Sequence, residues 1–251
     1  MQVKRQNMSI LVDDNAMRIY LVSPDKVGKY PGILFYSDIY QLGSPITRLA
    51  DHLAGYGFVV AAPEIYHRQL PIGTVIEPTD LGKIQGNEAA RKTATSEFDT
   101  DANAVIDFLS KHEGVASQPI GVMGFCIGGH LACRAALNPL VKASVCVYPT
   151  GIHSGKLGKE KADTLTRLSE IQGELFLIFG TLDPHVPEEG RVIIKQALEK
   201  AKIRHKIREY KANHTFMRDD GYRFDPVATD HAMQEIISFL QSKLVNLTMA
   251  Y

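Results

Sequence analysis

Short, wholly apolar runs alternate with amphipathic stretches of helical period along most of this chain, and few folds accept that order. "PGILFYSD", "FVVAAPEIY", "PIGVMGF", "ASVCVYPT" and "ELFLIFG" have no polar face. A strand without a polar face must be covered on both sides. Between these runs, Ala102, Val105, Ile106 and Leu109 fall at i, i+3, i+4, i+7, one stripe of a helix. Ile193, Ile194, Ala197 and Leu198 repeat the pattern, as do Met233, Ile236, Ile237 and Leu240. Ala50, Leu53 and Ala54 mark a helix that ends near Gly55–Tyr56–Gly57, and "HLACRAALN" reads as another. "MSILV" and "RIYLVSP" flank Asp13–Asp14–Asn15 as an opening hairpin, and "HKIREYKA" is a late strand. The prediction is an α/β chain with a doubly wound, mostly parallel sheet and helices on both faces. No linker or repeat divides it, so 1–251 is expected to be a single domain. Residues 68–92, polar and punctuated by proline and glycine, show no assignable period.

Charge excludes some classes of partner. Lys plus Arg and Asp plus Glu are 28 each, so no basic excess invites nucleic acid or an anionic membrane. The first fifteen residues do not read as a signal peptide, and no apolar run approaches the ~18 residues of a spanning helix. The cysteines are three, Cys126, Cys133 and Cys146, an odd number in a chain too large to need disulfide staples. Free thiols in a reducing cytoplasm are expected.

One cysteine has an unusual setting. Gly124-Phe125-Cys126-Ile127-Gly128 follows an apolar strand and precedes a helix. That is the G-x-nucleophile-x-G form of a nucleophile elbow, with cysteine in place of serine. The glycines remove side chains that would collide where a strand folds straight into a helix. The helix start aims free N–H groups at the sulfur, which favours the thiolate. The alternative is a small buried hydrophobe, the common state of cysteine, and it suits Cys133 and Cys146 well.

A thiol nucleophile needs a base, and the base an orienting acid. Asp183 in "GTLDPHVP" and His214 in "KANHTFMRDD" each lie just past the carboxyl end of a predicted strand, the edge that Cys126 occupies. Asp183 could instead shape an Asp-Pro turn, His214 could pair with Asp219, and His185 is the rival base. His130, His153 and His231 read as helix or loop surface. Tyr36, Tyr40, Tyr66, His67 and Arg68 are candidates to line a pocket.

Together, "GFCIGG", "GTLDPHVP", "NHTFMR", "YSDIY" and "APEIYHR" make the chain resemble the dienelactone hydrolase (carboxymethylenebutenolidase) family, with its α/β-hydrolase fold, from about Tyr20 to Leu244. The resemblance implies a Cys126–His214–Asp183 triad. It implies an oxyanion hole from the backbone N–H groups of Ile127 and Ile39, and a substrate-carboxylate contact at Arg218. The chain departs from the family in two places: Asp38 stands where a glutamate is usual, and Lys83 where a second arginine would fall. A lysine offers a point charge rather than a two-pronged fork. The expected activity is hydrolysis of a small ester or lactone through an acyl-enzyme, with no cofactor and no metal, by a monomer or homodimer. The alternatives are a non-catalytic ligand binder on the same fold and a redox sensor. The sensor reading lacks a nearby partner thiol, since Cys133 would lie ~10 Å down the helix from Cys126.

Overall fold

Strands buried on both faces build the middle of the molecule. In the computed structural model, which describes residues 1–245, eight strands form one sheet in the order β1-β2-β4-β3-β5-β6-β7-β8. They are β1 (Val3–Val12), β2 (Asn15–Pro24), β3 (Tyr30–Tyr36), β4 (Val59–Pro63), β5 (Val115–Phe125), β6 (Val141–Val147), β7 (Glu174–Gly180) and β8 (Arg204–Tyr210). The β1–β2 hairpin turns through Asp13 and Asp14, both left-handed, and β2 joins β4 antiparallel. All other pairings are parallel. The doubly wound, mostly parallel α/β sheet is thus as expected.

The helices are α1 (Ser44–Gly55), α2 (Asp80–Lys92), α3 (Thr95–Lys111), α4 (Ile127–Ala135), the single turn α5 (Thr164–Arg167), α6 (Glu188–Ala201) and α7 (Pro226–Leu244). They cover both faces, and strand alternation sorts the core into two layers. Ile33 and Phe35 of β3 pack with Ala50 and Leu53 of α1 and Ile236 and Leu240 of α7. Leu34 and Tyr36 point the other way, toward Ala90 of α2, Val105 of α3, Leu131 of α4 and Leu198 of α6. The stripes on α3 and α7 are buried as read. On α6 only Ile194 and Leu198 of the expected four are fully buried; Ile193 is exposed, because the helix covers the sheet margin with a narrow face.

Several local expectations are corrected. The unassigned stretch 68–92 contains α2, capped by the Thr79 side chain accepting from the Gly82 N–H. Its apolar signal is weak because two interior positions are glycine, each normally costing a helix ~1 kcal/mol against alanine. Close approach explains both: a Cβ on Gly82 would lie 1.8 Å from the Glu77 carbonyl oxygen, and one on Gly86 2.5 Å from that of Ile39. Gly86 therefore lets α2 press directly on the loop after β3. His130 is fully buried rather than on the surface, whereas His231 is exposed. Tyr36 and Tyr66 belong to the core, and His67 and Arg68 are committed to Asp101.

The last helix is capped at its start: the Asp225 side chain accepts from the Ala228 N–H, and Pro226 occupies the first turn. Removing a cap of this kind costs about 1 kcal/mol. Asp225→Ala is expected to lower the thermal midpoint by about 2–4 °C for a chain of this size, read by circular dichroism; no shift would mean that the cap carries no stability.

Candidate active site

The end of β5 and the start of α4 approach so closely that no side chain fits between them. A Cβ on Gly124 would sit 2.1 Å from the Gly128 carbonyl oxygen, and one on Gly128 2.1 Å from that of Ser37. The residue between, Cys126, takes φ 56° and ψ −119°, a backbone state that a side-chain-bearing residue holds only when its surroundings impose it. Cys126 is partly exposed and lies on the wall of a cavity of about 1080 Å³. The N–H of Ile127 belongs to the first turn of α4, where no intrahelical acceptor exists. Ile39, on the loop held by Gly86 of α2, lines the cavity with Ile127. Cys133 and Cys146 are buried next to each other, and burial holds the Cys146 thiol well above the usual range. All three thiols are free, and the neighbour of Cys133 is Cys146 rather than Cys126.

Asp183 follows β7 and His214 follows β8, and both are buried. His214 Nδ1 lies 2.6 Å from Asp183 Oδ2. The carboxylate can only accept here, so Nδ1 carries the proton and Nε2 is the nitrogen left for the sulfur. The other oxygen, Oδ1, accepts the His185 N–H at 2.7 Å. His185, the rival base, instead sets its ring edge-to-face against His214 at 4.6 Å; Tyr148 packs on His214 at 5.1 Å. Asp219 pairs with Arg48 and not with His214. Burial alone would lower the His214 pKa. The charge of the neighbouring Cys126 and the hydrogen bond that His214 donates to Asp183 outweigh it and raise it to about 9.

Asp38 is buried, with Oδ1 accepting from the Tyr40 N–H at 2.8 Å and Oδ2 from Arg218 Nη1 at 2.6 Å. Burial raises its pKa, against the pull of Arg218. Arg218 also donates from Nη2 to Asp220 at 3.1 Å and stacks on the Tyr40 ring at 4.8 Å. Its Nε lies 2.8 Å from the other Asp220 oxygen, but off the line of a hydrogen bond. Arg218 thus faces the cavity already holding two carboxylates. Lys83, exposed on α2, also lines the cavity, and so does Tyr40.

A buried chain behind the nucleophile escaped the sequence reading. The Thr150 N–H donates to the Cys126 carbonyl at 3.1 Å, and Thr150 Oγ1 lies 3.9 Å from Sγ. His130 Nδ1 is 3.0 Å from the Thr150 carbonyl, and Nε2 is 2.7 Å from Thr164 Oγ1. Burial, with Arg134 nearby, lowers the His130 pKa to about 3, so the ring is neutral. Nδ1 must donate to the carbonyl, and Nε2 accepts the Thr164 hydroxyl proton. His130 at i+4 from Cys126 was the only available signal.

A glycine-flanked cysteine on a strand–helix turn, with Asp183 after β7 and His214 after β8 on the same edge of the sheet, has the layout of an α/β-hydrolase. A sequence profile of the dienelactone hydrolase family matches residues 17–244. The chain is 37% identical over 240 residues to "Putative carboxymethylenebutenolidase" of Saccharomyces cerevisiae, covering 91% of this chain and 87% of the relative. It is 27% identical to the carboxymethylenebutenolidase of Pseudomonas sp. (strain P51), covering 85% of each. A crystal structure named "Putative Dienelactone Hydrolase" from Klebsiella pneumoniae superposes with a TM-score of 0.83 at 21% identity, covering 94% of this chain and 98% of that one. The chain belongs to the dienelactone hydrolase family, and it is a hydrolase of that family. Among the described residues no helix is long and apolar enough to cross a membrane.

Because His214 binds its proton more tightly folded than unfolded, the stability this confers is complete below about 6.5 and lost as pH rises through about 9. An NMR titration of the His214 ring is expected to give a midpoint near 9, displaced downward in Asp183→Asn. A midpoint unmoved by that substitution would contradict the electrostatic account.

Proposed function

We propose that the chain hydrolyses small esters or lactones through an acyl-enzyme on Cys126, with His214 as proton carrier and Asp183 as its orienting partner. The Cys126 thiolate attacks the carbonyl carbon. The N–H groups of Ile127 and Ile39 donate to the developing oxyanion, an arrangement that typically supplies several kcal/mol. As the tetrahedral adduct collapses, the C–O bond breaks and the His214 imidazolium protonates the leaving oxygen. Neutral His214 then takes a proton from water, whose oxygen attacks the thioester. Cys126 leaves as thiolate, and the imidazolium is restored. Asp183 fixes the tautomer and stabilises the cation in both halves.

The observation that carries this reading is the 2.6 Å His214–Asp183 bond beside a nucleophile held in a strained turn. Thr150 and His130 position Cys126 from behind, and Asp38, held by Arg218, closes the opposite wall. A substrate carboxylate reaching Arg218 must compete with Asp38 and Asp220, whereas Lys83 is free of carboxylate partners at the mouth. The names of the relatives point to butenolide lactones as one substrate class. The three free thiols fit the cytoplasm, and one independent domain, acting as monomer or homodimer, completes the reading.

Cys126→Ala is expected to reduce turnover of an aryl acetate at least about a thousandfold while leaving the circular dichroism spectrum and thermal midpoint in place. Undiminished turnover in that folded variant would refute the mechanism.

A further inference from the structure

The cavity is larger than a small ester or lactone fills, and its charge is uneven. At about 1080 Å³ it lies at the upper end of what drug-sized ligands occupy. The acids on its wall are mostly engaged: Asp38 and Asp220 hold Arg218, and Glu160 accepts the Thr95 N–H at 2.5 Å. Several cations on the wall are not. Among the described residues, Arg91, Lys156 and Lys161 line the cavity with no carboxylate oxygen within salt-bridge distance, Arg91 having only a longer-range attraction to Glu88.

Lys156 and Lys161 are brought together by a tied-down loop, and that loop is fastened to the end of α2, which carries Arg91. The segment that leaves Thr150 turns through Gly151 (φ 77°) and Gly155 (φ 68°). A Cβ on Gly151 would lie 1.8 Å from the Lys156 carbonyl oxygen, so the turn is tight by construction. Lys156 and Lys161 then face each other across an isolated antiparallel bridge, with the Ala162 N–H donating to Gly155 at 2.8 Å. Between them, the Lys159 N–H donates to the Thr93 carbonyl at 2.9 Å, next to the last turn of α2, which carries Arg91. Like charges directly opposite each other across a bridge are destabilising. A bridge that sets two unpaired lysines side by side on a cavity wall, with an arginine close by, is accounted for by an anion between them. The fork beside Asp38, Arg218, is occupied, so it is not open to a substrate carboxylate. One guanidinium fork with two converging ammonium groups presents more donors and charge than a single carboxylate takes up, and suits a phosphate dianion.

We infer that Arg91, Lys156 and Lys161 form an anion subsite apart from the Cys126 centre, and that the substrate is an acyl ester or thioester carrying a phosphate group at its far end. This rests on the hydrolase reading above and specifies its substrate class. The phosphate binds without reacting, and the bond cleaved remains the acyl bond at Cys126.

The test uses the full chain and two thioesters that differ only in the phosphate, acetyl-4′-phosphopantetheine and acetyl-pantetheine. The wild-type kcat/KM is expected to favour the phosphorylated compound by about tenfold or more, the scale of charged hydrogen bonds. In an Arg91→Gln, Lys156→Gln, Lys161→Gln triple variant that ratio is expected to fall toward unity; a folding defect cancels in the ratio. Isothermal titration of the Cys126→Ala variant with inorganic pyrophosphate reads the subsite without chemistry, and binding is expected to disappear when the triple substitution is added. Equal wild-type rates for the two thioesters, a ratio unmoved by the triple variant, or no pyrophosphate binding would each overturn the subsite. Pyrophosphate binding with no measurable cleavage of either thioester or of an aryl acetate would instead sink the hydrolase reading and leave the subsite standing.

Discussion

The contact between the end of β5 and the start of α4 is the constraint on which the rest depends. With the Gly128 carbonyl oxygen 2.1 Å from where a Cβ would stand on Gly124, strand and helix share a space that only hydrogen can occupy, and the Ser37 carbonyl oxygen, 2.1 Å from a Cβ on Gly128, presses the helix start from the loop after β3. The turn between them has no room to relax, so Cys126 adopts a positive φ and its side chain is presented rather than buried. Alanine at either glycine would push the helix off the sheet and the sulfur away from His214. The strain is sustained by the two buried layers, which hold the strand on one side of the turn and the helix on the other.

Around that turn the site is assembled from separate strand ends. The parallel order β5-β6-β7-β8 places the residues after β5, β6, β7 and β8 on one edge, and these are Cys126, Thr150, Asp183 and His214. In the mechanism we propose, each has one function that the others cannot supply: a nucleophile, a brace, an orienting charge and a proton carrier. The His214–Asp183 pair has low exposure to water, and the same burial that would discharge the imidazole strengthens its attraction to the carboxylate. Behind the brace, neutral His130 passes the constraint on to Thr164 and Arg134. The nucleophile is thus held from the core as well as from its own helix.

Legibility in the sequence followed physical range. Strands covered on both faces read as unbroken apolar runs, so the sheet, its parallel character and the place of Cys126, Asp183 and His214 just past strand ends could be read from the chain alone. Helix α2 could not, because Gly82 and Gly86 serve close packing against Glu77 and Ile39 rather than helix formation. The alternation that put Tyr36 into the core instead of the cavity depends on which face of β3 looks at which helix layer. Arg218 was found by resemblance, but its partner Asp38 is 180 residues away, and a local pattern cannot show that a charge is already taken. His130 illustrates the same limit: at i+4 from the nucleophile it looked like surface, and only the loop from Thr150 to Thr164 encloses it.

The central claim is that the elbow delivers the Cys126 sulfur to a substrate carbonyl with His214 as partner. Intact-mass and peptide-mapping measurements after rapid quench with an activated aryl acetate test it directly. The account predicts one acetyl group on the peptide carrying Cys126, formed rapidly by the wild type and much more slowly by His214→Ala. Acetylation spread over surface lysines, or a Cys126 adduct that forms equally fast without His214, would contradict it.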